Sequence, residues 1–212
     1  MPRAALERTF ERYYQAVIRR PAADTVWEAY TPYEWRTVGT FVRLGWKDRA
    51  HELLEMFFAD ARPAGWNHWA EVVWRDPHTP KFIGDMPHTW VGSDFIRSVL
   101  DMFAYERESD STLIVGAGIH RDWVNDRRGV IVRGVSTHYG TLDLRMRADG
   151  AVVLANIAGS LRMPPGGIVI RSPLDRPVVK ATVDGVPVAV KDGAIVLRQS
   201  PWRGSANVLF QH

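Results

Sequence analysis

Apolar residues recur every three to four positions through the first half of the chain and every two positions through the second, with the change close to Ser111. Leu6, Phe10, Tyr13, Tyr14 and Val17 lie at helical spacing and predict an amphipathic helix over residues 6–18. A second helix is expected from Pro32, a residue suited to a first turn, with Trp35, Val38, Phe41, Val42 and Leu44 on its apolar face. A third covers 47–61 through Ala50, Leu53, Leu54, Phe57 and Phe58, and a fourth covers 89–106 through Val91, Phe95, Ile96, Val99, Leu100 and Phe103. Asp48 and Thr89 are the expected caps of these two. Beyond Ser111, short strands are predicted at 112–115, 130–132, 141–146, 152–154, 168–170, 178–183, 187–190, 195–197 and 207–209. Asp149-Gly150, Asp184-Gly185 and Asp192-Gly193 are the clearest hairpin turns. The pattern predicts an α+β chain in two parts, with a helical domain over 1–110 and an antiparallel β-sandwich over 111–212.

Composition narrows the chemistry. With 212 residues, of which 46% are hydrophobic and 24% charged, the chain can bury a real core. It has no cysteine, which removes disulfides, thiolate nucleophiles and Cys-based zinc sites. No apolar run approaches the roughly 18 to 20 residues that span a bilayer, and residues 1–20 alternate charge with apolar positions, so a soluble chain without an export signal or membrane partner is expected. The net charge is +3, and it is uneven: residues 1–110 hold 14 Lys and Arg against 17 Asp and Glu, whereas residues 111–212 hold 13 against 7. The basic residues of the second half, such as Arg133, Arg145, Arg147, Arg162, Arg171 and Arg176, are spread along alternating strands without a compact run, so no nucleic-acid partner is expected.

The densest chemistry lies in segment 66–90, which contains four of the nine Trp and three of the seven His, with Glu71, Asp76 and Asp85 among them. Pro77, Pro80, Gly84 and Pro87 mark it as turn-rich, and loops carrying aromatics and charge together are common binding sites. A sugar ring stacks its C–H faces on indole while its hydroxyls need directional hydrogen bonds, so the composition points to carbohydrate. Candidate binding residues are Trp66, Asn67, His68, Trp69, Trp74, Asp85, His88 and Trp90, joined from the preceding stretch by Trp27, Glu28 and Tyr33.

Other motifs fail on spacing. His120-Arg121-Asp122 imitates a kinase catalytic loop, but neither a phosphate loop nor an Asp-Phe-Gly is present, and a short helical connection is expected there. His51-Glu52 lacks the second His of a zinc protease, and Gly116-Ala117-Gly118 lacks the third Gly of a dinucleotide site. A metal held by His68, His78, His88 and Asp85 has no ligand-spacing logic, so neither a metal nor another cofactor is expected.

The order of features resembles the C-terminal part of the six-hairpin glycosidases, whose helices form an (α/α)6 barrel, most nearly the α-L-rhamnosidase-like branch. Thr31-Pro32-Tyr33 resembles the turn that opens a pocket-lining helix in that family, and Trp69-Ala70-Glu71 stands where a Trp-Glu segment supplies the catalytic base. Pro87-His88 takes the place of an Asn-His pair that begins the last inner helix. The resemblance implies a partial (α/α)6 toroid followed by the β domain, with Glu71 as catalytic base of a two-carboxylate glycosidic reaction. Glu28 and Asp85 are the further carboxylates. Twelve helices make such a barrel and this chain offers four, so the resemblance also implies a fragment without its general acid, with little activity alone. Two alternatives stand beside it: a non-catalytic carbohydrate-binding protein, and an assembly module that self-associates through exposed helical faces.

Overall fold

The computed structural model describes residues 2–22, 26–61, 65–76, 85–198 and 204–212. Two compact units are formed, Met1–Val99 and Leu100–His212. Among the described residues there are five α-helices and twelve strands in three sheets.

The first unit contains α1 (Arg3–Val17), α2 (Trp35–Leu44), α3 (Lys47–Ala59) and most of α4 (Thr89–Phe103), with a short ribbon of β1 (Ala29–Tyr30) and β2 (Val73–Trp74). A 3-10 turn over Pro32–Glu34 leads into α2, and the Thr31 hydroxyl accepts from the Tyr33 N–H at its start. Gly45 ends α2 in the left-handed region at φ 83°, where a side chain would be strained, and its N–H closes back on the last turn. Asp48, the expected cap of α3, lies inside the first turn; Trp46 precedes the helix without a side-chain cap.

α2 is the centre of this unit, burying Trp35, Val38, Phe41, Val42 and Leu44. Trp35 is surrounded by Phe57, Phe58, Trp69 and Phe95, with ring centroids 5.0–5.3 Å away. One turn and a half later Phe41 meets Phe10, Tyr13, Tyr14 and Trp46 at 5.3–6.3 Å. The partial (α/α)6 toroid implied by the resemblance is therefore not formed. A toroid arranges hairpins around an open axis, whereas these helices close on two filled aromatic clusters, and a strand ribbon stands among them.

The second unit begins at the end of α4 and continues with β3 (Ala104–Arg107), β4 (Thr112–Val115) and α5 (Arg121–Asn125). His120 precedes α5 and its ring accepts from the Asp122 N–H, so His120-Arg121-Asp122 is a helix start. Three long strands follow, β5 (Val130–Thr137), β6 (Gly140–Asp149) and β7 (Val152–Gly159), then β8 (Ile168–Arg171), β9 (Lys180–Val183), β10 (Val186–Val188), β11 (Ala194–Leu197) and β12 (Ala206–Gln211). A six-stranded antiparallel sheet runs β10-β9-β12-β7-β6-β5, and a four-stranded sheet runs β11-β8-β4-β3. Period-two alternation turns Leu142, Leu144, Met146, Val153, Ile157, Val208 and Phe210 inward, onto Leu113, Val115, Ile168 and Ile170.

The expected antiparallel sandwich is also overturned, because β4 and β8 pair in parallel. Leu113-Ile114-Val115 and Ile168-Val169-Ile170 are apolar without alternation, and all six side chains are buried. A continuous apolar run is the mark of a strand covered on both faces, the environment of parallel pairing. The fold is a mixed α+β arrangement in which, among the described residues, the six-stranded sheet and the β1–β2 ribbon are antiparallel and the four-stranded sheet is mixed.

Candidate functional site

The entry into α2 and the start of α4 bring one group of polar and aromatic side chains together in the first unit. Tyr33, on the 3-10 turn, places its hydroxyl 2.7 Å from His88 Nε2, and the two rings meet edge-on. Partial burial raises the Tyr33 pKa above its ordinary value, and the negative charges of Glu71, Asp94 and Asp85 act in the same direction, opposed by Arg36. The phenol therefore keeps its proton at neutral pH, and it shares one hydrogen bond with His88 Nε2 in which the tautomer of the ring sets the donor.

Trp90 completes the aromatic group at 6.4 Å from Tyr33 and 6.2 Å from His88, yet its own side chain is 70% exposed. Arg36 lies one turn beyond Tyr33, with its guanidinium 5.1 Å above the phenol ring, and Asp94 holds it at 2.6 Å. Asp94 is thus engaged. The carboxylates of Glu71 and Asp85 have no ion pair or hydrogen bond among the described residues, although both charges are felt at the Tyr33 hydroxyl. Two carboxylates without a partner among the described residues, a neutral phenol, an imidazole and an exposed indole are side chains that can grip a polyhydroxylated ring.

The remaining candidates are placed differently. Trp69 is 3% exposed and belongs to the Trp35 cluster, its indole N–H donating to the Phe57 carbonyl at 2.8 Å. It cannot stack on a ligand without unpacking the core. Its neighbour His68 accepts from the Trp69 N–H at Nδ1, and its Nε2 faces Gly92 in the first turns of α4. Trp74 is half-buried on β2. Trp27 is likewise half-buried, packed on Tyr30 with its indole N–H donating to the Arg20 carbonyl, and Arg75 lies over its ring. The Glu28 side chain is exposed while its carbonyl accepts from the Arg75 N–H. Trp66 is 61% exposed and Asn67, also exposed, takes the left-handed conformation at φ 51°. Pro77, His78, Pro80 and Gly84 lie outside the described residues. Among the described residues no group of His, Asp and Glu could hold a metal ion.

Sequence reading missed Arg36 and Asp94. The signal for Arg36 was its position three residues after Tyr33, on the same helical face. It also missed a second network, in which the Arg20 guanidinium grips the Glu34 carboxylate by two bonds of 2.9 Å while the Tyr13 hydroxyl donates to the same carboxylate. Burial and the Glu34 charge raise the Tyr13 pKa, and burial with Asp60, which accepts from the Tyr30 hydroxyl at 3.0 Å, does the same to Tyr30. These groups are tied to one another and act as internal braces. Comparisons of the chain with protein-family models, with curated proteins and with solved structures found no match.

Proposed function

We propose that the Tyr33–His88–Trp90 rim binds carbohydrate, in a protein of glycoside hydrolase type, with Glu71 and Asp85 as the carboxylates directed at the sugar. The observation that carries this reading is the pair of carboxylates free of partners among the described residues, both acting on the Tyr33 hydroxyl beside an exposed indole. In such chemistry one carboxylate activates water while a second acid protonates the leaving oxygen. Glu71, the less exposed of the two, takes the role of base, and Tyr33 and His88 offer donors and acceptors for ring hydroxyls.

A purely binding role is favoured by the openness of the rim. Asp85 and Trp90 are both exposed, and a site open to water neither strengthens charge interactions nor fixes a nucleophile. Binding is accordingly the larger expected effect and turnover the smaller. Assaying aryl glycosides, the α-L-rhamnoside included, alongside oligosaccharide binding separates the two. Binding with turnover that Glu71→Gln abolishes supports the hydrolase reading. Binding that Glu71→Gln leaves intact, with no turnover in the wild type, supports the binding role, and absence of both removes carbohydrate from consideration.

A further inference from the structure

The outer face of the six-stranded sheet carries a different kind of surface. With Leu144 and Met146 turned inward, Arg145 and Arg147 of β6 point outward, about 7 Å apart along the strand. Register places Arg145 opposite Asn156, which lies opposite Asn207, and Arg147 opposite Leu154, which lies opposite Leu209. These six residues line most of an open groove of about 560 Å³.

The groove has a defined polar arrangement. Asn156 Nδ2 donates to Asn207 Oδ1 at 2.9 Å, and Asn207 donates from its backbone N–H and its Nδ2 to Asp184 Oδ1 at 2.9 and 3.1 Å. This chain fixes both amides and leaves the Asn156 carbonyl oxygen and one N–H of each amide for another partner. Arg145 makes no ion pair among the described residues, and Arg147 makes a long, exposed one with Asp149 at 3.9 Å. The neighbouring Asp143 carboxylate is engaged by the Gly134 N–H at 2.7 Å. Leu154, half exposed, stands two residues from Asn156 on the same strand and opposite Arg147, and forms the apolar part of the face.

We propose that this face binds a carboxylated polysaccharide, a chain of uronic acid residues. Each feature meets one part of such a unit: guanidinium forks pair with carboxylates, fixed amides serve hydroxyls, and Leu154 takes the C–H face of the ring. The surplus of 13 Lys and Arg over 7 Asp and Glu across residues 111–212 favours an anionic occupant. Among the described residues no aromatic side chain lines the groove, so they offer no stacking platform of the kind single-stranded nucleic acid uses. The inference stands apart from the Tyr33 reading, since it concerns other residues in the other unit.

Affinity electrophoresis of the whole chain in polygalacturonate, dextran, dextran sulfate and a single-stranded oligonucleotide tests it. The wild type is retained by polygalacturonate, more weakly as salt rises from about 50 to 300 mM, and is not retained by dextran through this face. Arg145→Ala with Arg147→Ala weakens retention by about tenfold or more, and the paired Lys variant restores only part of it because the fork is lost. Arg128→Ala, which removes an exposed arginine outside the groove, leaves polygalacturonate retention unchanged. Both arginines are exposed, and far-UV circular dichroism of the variants verifies that the sheet is intact. The proposal is overturned if polygalacturonate does not retain the wild type, if the double Ala variant is retained equally, or if dextran sulfate, which carries charge without carboxylates, or the oligonucleotide is bound as tightly.

Discussion

The two units use hydrophobic residues in opposite ways. The first fills its core with rings, Trp35, Phe41, Phe57 and Trp69, and places further rings of the same kind, Trp66 and Trp90, in solvent. The second is filled almost wholly by aliphatic side chains with Phe210 among them, and its outer sheet face bears Arg, Asn and Leu. An aromatic residue in the first unit can therefore be a structural pillar or a binding surface, and only burial separates the roles. In the second, alternation alone separates core from face.

The sharpest way to break this contrast is to remove a pillar. Trp35→Ala should destabilise the first unit by about 3–5 kcal/mol in urea denaturation, with amide protection lost first in α2 and α3. Trp35→Phe should cost far less, under about 1.5 kcal/mol, since it keeps a ring and removes an indole N–H that finds no acceptor among the described residues. In the aliphatic unit, Leu144→Ala should cost about 3 kcal/mol, read as loss of protection in β6 and β7. A smaller loss, about 1–3 kcal/mol, is expected for Glu34→Gln, which leaves the partly buried Arg20 without its carboxylate. The smallest effect belongs to Asp110, whose pKa is lowered to about 2, first by Arg107 and then by Thr112. Its folded pKa lies below the ordinary value, so its contribution is present above about pH 4 and fades as pH falls toward 2. The stability difference between wild type and Asp110→Asn should thus be a few tenths of a kcal/mol at about pH 6, since the pair is exposed, and shrink at about pH 3.

The same contrast explains what the sequence revealed. Helical spacing located α1 to α4 within a few residues, and alternation located the strands of the six-stranded sheet, because both periods report which side faces the core. The last turn expected of α4 is instead β3, since Ala104 and Tyr105 are apolar in either geometry and pairing with β4 decides between them. The parallel β4–β8 pair was hidden for a related reason: pairing direction is set by a partner more than 50 residues away. β1 and β2, two residues each, leave no periodicity to read.

Within the candidate site, segment 66–90 announced aromatic and acidic residues without telling Trp69, sealed in the core, from Trp90, open to solvent. Tyr33, His88, Glu71 and Asp85 were legible as residue types, but the contact joining positions 33 and 88 is tertiary. Arg36 and Asp94, which fix the Tyr33 ring from one side, appear only once α2 and α4 are placed together.

Calorimetric titration of neutral oligosaccharides into the wild type and Trp90→Ala tests most directly the claim that the exposed rim of the first unit is the binding surface. Loss of a stacked indole should weaken binding by roughly tenfold or more while the denaturation midpoint stays where it was. Wild-type protein that takes up no neutral oligosaccharide, or a Trp90→Ala variant that binds one as tightly as the wild type, would contradict it.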